Sequence, residues 1–292
     1  MRSFDYIESG KTLLTPHTTS LLAAIHEAKG RQSIQTTIRP DILGTLVAVA
    51  RIQSTDASNR IEGISTSDSR LNDLVSEKVT PRNRNEEEIA GYRDALSVIH
   101  ESHDYIPITP NVILQLHRDL FRHTPLTFAG HFKDSDNVII ERDAHGTSTV
   151  RFAPPSALVT PELIERACSA YTQAIRDGHT DPLLAIAMFI LDFTCIHPFN
   201  DGNGRMSRLL TLLMLYRNGY MVGKYISIEH LIEQSKRTYY EAMTASTKDG
   251  TTTPMIMRHS RTTCLASYCP RARNSTNASI SRQAAERREH RE

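Results

Sequence analysis

An all-α bundle carrying one short β-hairpin is the fold class this sequence predicts, on three observations. Residues 182–196 are almost wholly hydrophobic, with Leu183, Leu184, Ile186, Met188, Phe189, Ile190, Leu191 and Phe193 too dense for a single face. A run of that kind is a fully buried helix. Leu209, Leu210, Leu212, Leu213 and Leu215 then recur at helical spacing until Asn218-Gly219, where the glycine supplies a stop. Between 137 and 152, the β-rich runs Asn137-Val138-Ile139-Ile140-Glu141 and Thr149-Val150-Arg151-Phe152 flank Asp143-Ala144-His145-Gly146, and Pro154-Pro155 follows. That pattern reads as a hairpin.

The remaining elements follow in order. Residues 12–29 predict a helix on Leu13, Leu14, Leu21, Leu22 and Ile25, ending at Gly30. Residues 41–62 predict another, capped by Asp41, with Leu43, Leu46, Val47, Ala50 and Ile52 on one face and Gly63 as its stop. Its second half, Ser54-Thr55-Asp56-Ala57-Ser58-Asn59, is rich in side chains that compete for backbone hydrogen bonds. Local disagreement of this sort marks a functional patch. A helix over 86–103 opens on Glu86-Glu87-Glu88, a complement to its dipole. Pro107 and Pro110 interrupt the chain before a helix from Val112 to Phe121, and Pro161 opens a helix over 161–177 that closes at Gly178. Residues 226–245 predict a last helix, which carries Tyr239 and Tyr240. From Arg258 onward apolar periodicity is lost and arginine dominates, a composition that predicts poor order.

Composition bounds the function. The 292 residues are 39% hydrophobic and 23% charged with a formal net charge of +1, which suits one large domain or two small ones. Near-neutral charge gives no case for nucleic acid or an anionic membrane as main partner. The basic tail lacks the aromatic interleaving of a nucleic-acid arm. Cys168, Cys195, Cys264 and Cys269 show no metal-ligand spacing, and the expectation is a reduced, cytoplasmic setting. Met1 to Gly10 holds no apolar core and the run to Ile196 is too short to span a bilayer.

The stretch between the two apolar helices carries the chemistry: His197-Pro198-Phe199-Asn200-Asp201-Gly202-Asn203-Gly204-Arg205-Met206-Ser207-Arg208. It opens directly into a helix N-terminus, whose first amides lack internal partners and whose dipole favours anions. Two glycines around an asparagine let those amides turn inward as a phosphate cradle. Arg205 and Arg208 fall on neighbouring positions of the first turn and can fork onto phosphate oxygens. Asp201 suits Mg²⁺, which bridges a carboxylate to phosphates while keeping waters. His197 is the acceptor for a hydroxyl proton. Phosphoryl and nucleotidyl transfer both fit these residues.

The stretch resembles the His-x-Phe-x-Asp/Glu-Gly-Asn-Gly-Arg-x-x-Arg signature of Fic-domain proteins at every fixed position. The resemblance covers roughly residues 12–256. It implies a protein adenylyltransferase that moves AMP from ATP to a Tyr, Thr or Ser hydroxyl of a protein target or of itself and releases pyrophosphate. By that resemblance His197 is the general base, and Asp201 holds Mg²⁺ on the α- and β-phosphates. Asn203 with the amides of Gly202 and Gly204 forms an anion hole, and Met206 and Ser207 belong to the same ATP- and phosphate-binding stretch. Arg205 and Arg208 bind the β- and γ-phosphates, and Phe199 anchors the loop. The hairpin becomes a flap that holds the target segment by strand addition, with Val138, Ile139, Ile140 and Glu141 bordering the nucleotide. Tyr239 and Tyr240 lie beside adenine and ribose.

Ser58-Asn59-Arg60-Ile61-Glu62-Gly63 resembles the inhibitory Ser/Thr-x-x-x-Glu-Gly/Asn motif of the same family. It implies that Glu62 occupies Arg208 and restrains the enzyme. The implied organisation is a helical region over 1–105 with an inhibitory helix at about 41–63, a catalytic core over 106–256 and a basic tail over 257–292. A homodimer fits the family. The rival readings are another transfer on the same scaffold (phosphotransfer or AMP removal) and a non-catalytic, nucleotide-responsive regulatory or toxin–antitoxin component.

Overall fold

A computed structural model of the chain describes residues 4–38, 40–142 and 148–235. Among these the fold is all-α: α1 (Tyr6–Leu13), α2 (Pro16–Ile38), α3 (Pro40–Ile61), α4 (Asp68–Val75), α5 (Arg84–Ser102), α6 (Pro110–Leu120), α7 (Thr160–Asp177), α8 (Pro182–Ile196), α9 (Asn203–Arg217) and α10 (Ile228–Gln234). Strands β1 (Ile139–Arg142) and β2 (Ser148–Phe152) pair antiparallel, with Ile140 opposite Val150 and Arg142 opposite Ser148. The register slips between Ile139 and Ile140.

The ends of these helices follow their capping chemistry. Asp181 caps α8 by accepting the Leu183 N–H at 2.9 Å, and Pro182 supplies a first-turn residue with no N–H to satisfy. Thr109 and Asn83 cap α6 and α5 in the same way. Gly178 ends α7 in the left-handed region, which glycine enters without steric cost.

Helix α8 packs against α1, α7 and α9, and α5 packs against α3, α4, α6 and α9. Phe189, Phe193, Leu209, Leu210 and Leu213 are fully buried where these layers meet. At the α5–α6 crossing Gly91 lets the backbones touch, because a Cβ there would strike the Leu120 carbonyl. One buried cluster runs from Tyr6, Leu13 and Leu22 through to Ile228 and Ile232.

Several sequence expectations need correction. Gly30 lies inside α2, and the chain instead breaks at Leu14-Thr15-Pro16, where the Thr15 hydroxyl accepts the Thr18 N–H at 3.2 Å. Asp41 lies inside α3, which begins at Pro40, so it is not a cap. Of the acidic triplet, Glu86 and Glu87 do stand in the first turn of α5, but two of the three also make buried ion pairs. Glu86 is buried against Arg70, and Glu88 against Arg84 and Arg205. Helices α1 and α4 were not anticipated; each is eight residues long, too short to show a period. Tyr239, Tyr240 and the basic tail over 257–292 lie outside the described residues.

Candidate active site

The loop from α8 to α9 is set by its backbone. His197 closes α8 in the left-handed region (φ 51°, ψ 63°), with its N–H donating to the Phe193 carbonyl at 3.0 Å. That conformation is uncommon for a residue with a Cβ, so the surroundings must impose it. Phe199 does part of this as a fully buried anchor. The Asn203 side chain clasps its backbone, accepting the Phe199 N–H at 3.0 Å and donating to its carbonyl at 2.8 Å. The Asn203 side chain thus braces the loop and does not point at an anion. Gly202, at φ 81°, then turns the chain into α9.

At that turn the helix ladder starts with the Met206 N–H on the Gly202 carbonyl, 2.9 Å. The amides of Asn203, Gly204 and Arg205 precede it, as the first amides of any helix do. The Glu62 carboxylate stands against Gly204, in space that a Cβ on residue 204 would fill. An anion therefore already sits where the helix dipole favours one. Arg208 holds it. The guanidinium donates to Glu62 Oε1 at 2.7 Å, to the Ser58 hydroxyl at 2.7 Å and to the Ser58 carbonyl at 2.9 Å. Arg208 and Ser58 are buried, while Glu62 keeps about a third of its side chain exposed.

Arg205 lies elsewhere than its spacing suggests. It is 1% exposed, 2.7 Å from the Glu88 carboxylate, and its guanidinium covers the Phe121 ring at 5.0 Å. It does not fork with Arg208 toward an open site. Asp201 stands at the edge of this pair, about half exposed and 3.8 Å from both Arg84 and Arg205. Met206 and Ser207 turn away as well: Met206 belongs to the core, and the Ser207 hydroxyl donates to the Gly204 carbonyl at 2.7 Å.

The His197 imidazole is held below its ordinary pKa, first by burial, then by the nearby Lys133 ammonium, against the opposing pull of Thr194, Glu62 and Asp201. It is therefore neutral near pH 7 and can accept a proton. Its Nδ1 is buried and without an aligned hydrogen bond, so Nε2 is the nitrogen left to act.

One residue at this site escapes the sequence entirely. His117 of α6 is fully buried and stacks on Phe199 at 3.7 Å with ring planes 1° apart. Its Nδ1 accepts the Gly130 N–H at 3.0 Å, so Nε2 carries the hydrogen facing the Asp201 carbonyl at 3.1 Å. Burial pushes its pKa down to about 4. Among Ile113, Leu116 and Leu120 on one helix face, a histidine gives no sequence signal beyond core.

Beside this loop, Val138 is about half exposed and Ile139, Ile140 and Glu141 lie on β1. Among the described residues no group of three or more His, Cys, Asp or Glu could hold a metal by itself. A lone, half-exposed Asp201 fits a magnesium ion that takes its other ligands from water and phosphate.

The Fic/DOC family profile matches residues 107–215. A Fido domain-containing protein of Dictyostelium discoideum is 37% identical over 90 residues, 30% of this chain and 58% of that protein. The Caenorhabditis elegans protein adenylyltransferase fic-1 is 28% identical over 145 residues, 47% of this chain and 25% of that protein. This chain thus spans less than two thirds of the length of these relatives. A Fic family protein from Desulfovibrio desulfuricans has the same fold, with a TM-score of 0.70 at 23% identity over 90% of this chain and 76% of that one. The domain at residues 107–215 that carries this loop is thus similar to the Fic/DOC family in sequence and in fold.

Proposed function

We propose that this chain is a protein adenylyltransferase, moving AMP from ATP to a hydroxyl of a protein target or of itself, and that Glu62 restrains it. The observation that carries the reading is the α9 N-terminus, where a carboxylate, held by Arg208, occupies an anion position within reach of a neutral histidine. Without Glu62, Arg208 and the first amides of α9 are left to bind the polyphosphate. The loop then sets the α-phosphorus before His197. His197 Nε2 takes the proton of the attacking hydroxyl, whose oxygen bonds to the α-phosphorus as the bond to pyrophosphate breaks. Magnesium at Asp201, when bound, neutralises phosphate charge. Arg205 and Glu88 brace Asp201 from behind, and Asn203 and Phe199 keep the loop from relaxing. In this reading a target segment adds to β1 as a further strand. Related enzymes of this fold support the reading by name.

A restraint at Arg208 acts on geometry: an arginine already paired with Glu62 cannot grip the terminal phosphate, and a misplaced triphosphate is unfit for in-line attack. Incubation of the Glu62→Gly variant with magnesium and ATP tests this by intact-protein mass spectrometry. Adducts of AMP mass, at least about tenfold above the parent chain and absent from the Glu62→Gly, His197→Ala double variant, are expected. A phosphate-sized adduct or equal labelling of parent and variant overturns it.

A further inference from the structure

The segment Lys133–Asn137, just ahead of β1, makes a set of contacts that the signature does not account for. The Lys133 N–H donates to the Pro198 carbonyl at 2.8 Å. Its ammonium donates to the Ile196 carbonyl at 3.2 Å and to Asn137 Oδ1 at 3.1 Å. The Asn137 amide donates in turn to the Phe199 carbonyl at 3.3 Å, and the Asn200 amide reaches back to Asp134 at 3.3 Å. Three carbonyls around His197, those of residues 196, 198 and 199, thus find donors in one five-residue segment.

The Ile196 and Pro198 carbonyls need such partners, while the Phe199 carbonyl takes Asn137 as a second donor beside Asn203. Helix α8 ends at Ile196, and the left-handed turn at His197 takes the backbone out of the helix ladder. Buried carbonyls left without donors cost free energy. Lys133 is 3% exposed, an unusual position for an ammonium, and it caps the negative end of the α8 dipole. We infer that Lys133 and Asn137 are positioning residues that hold His197 in its left-handed backbone and tie the base of the β1–β2 pair to the imidazole. The inference rests on the adenylyltransferase reading for its consequence, but not for its contacts.

The charge of Lys133 gives the inference a readout that packing alone would not move. Among the described residues, the charged groups that act on the imidazole are Lys133, Glu62 from the end of α3 and Asp201 from the loop, with the Thr194 backbone in an unaligned hydrogen bond to the ring. Lys133 is the sole cation of these, and it disfavours the imidazolium.

The test is a nuclear magnetic resonance titration of the His197 ring in the full chain without nucleotide, beside transfer kinetics on the Glu62→Gly chain. Lys133→Met is expected to raise the His197 pKa by about half a unit to one unit and to move the acid limb of kcat upward with it. Lys133→Arg keeps the charge and leaves the titration in place. Asn137→Ala lowers kcat about tenfold at unchanged KM for ATP, without moving the titration. Should Lys133→Met fail to fold, Lys133→Gln, which keeps a donor for Ile196 without the charge, carries the same reading. An unmoved titration in the neutral variants overturns the inference, and so does an Asn137→Ala enzyme with unchanged kcat. If no variant transfers AMP, the proposed function fails while the titration still decides the role of Lys133.

Discussion

His197 and His117 show how one residue type serves two roles through its surroundings. His197 is half-buried, left-handed and neutral, the state that the proposed proton transfer requires. His117 is fully buried and spends both ring nitrogens on backbone, one on Gly130 and one on Asp201. The second arrangement fixes the Asp201 backbone, and through it the direction of the carboxylate. On the Glu62→Gly chain, His117→Ala is therefore expected to raise KM for magnesium–ATP about tenfold. His117→Gln, whose amide N–H can still reach the Asp201 carbonyl, recovers most of that loss. Steady-state kinetics against magnesium separate this from simple destabilisation, which both variants share through the lost stack on Phe199. At this scale the sequence was informative for the residues proposed to do chemistry: the structure sets Glu62 against Arg208 and Gly204, and both Glu62 and Asp201 act electrostatically on His197. It was uninformative where a side chain acts through burial. Arg205 shows the limit. Its spacing from Arg208 puts both on one turn, but Glu88, 117 residues upstream, decides which way it points.

At the scale of elements, α3 explains why the middle of that helix looked wrong for a helix. Ser54, Thr55, Ser58 and Asn59 are buried on a helix that packs against α5, α9 and α10, so this polar stretch meets protein and not solvent. Ser58 alone supplies two acceptors to Arg208. The mismatch with propensity was legible, and its partner was not, since 150 residues separate Ser58 from Arg208. The α4–α5 junction hid in the same way. Glu86 accepts from Arg70, Thr66 and the Arg82 N–H, and the Arg70 hydrogen bonds, the largest cause, pull its pKa from 4.5 to about 2. A carboxylate whose pKa is lowered on folding stabilises the fold above the unfolded value and loses that contribution as pH falls through the folded one. Glu86→Gln is accordingly expected to cost about 3 kcal/mol at pH 7. That difference from the parent shrinks between pH 4.5 and about 2. Urea denaturation of both chains across that range checks the sign; a gap that widens toward acid contradicts it.

At the scale of the whole chain, the fold class was legible because α8 is apolar nearly all round and α9 repeats leucine at helical spacing, and a helical bundle buries such segments. What brings the N-terminal helices to the site was not legible. Tyr6, Leu13, Leu22 and Ile61 share a buried cluster with residues of α5 to α10, so α3 is packed against the same core that carries the loop. Arg60 adds a tie from α3 to Glu233 of α10 at 3.1 Å. No helix among the described residues is long and apolar enough to cross a membrane. On the proposed reading, restraint and cradle form one unit, and the bundle is expected to stay together when Glu62 leaves the α9 N-terminus, because Glu62 is the exposed end of an otherwise buried contact.

Calorimetric titration of magnesium–ATP into the Glu62→Gly, His197→Ala chain, which can bind but not turn over, tests that claim most directly. One nucleotide per chain is expected, with binding lost when Gly204→Val fills the space now taken by the Glu62 carboxylate or when Arg208→Ala removes its guanidinium. Absence of heat from the unrestrained chain, or equal binding by the Gly204→Val chain, would contradict the account.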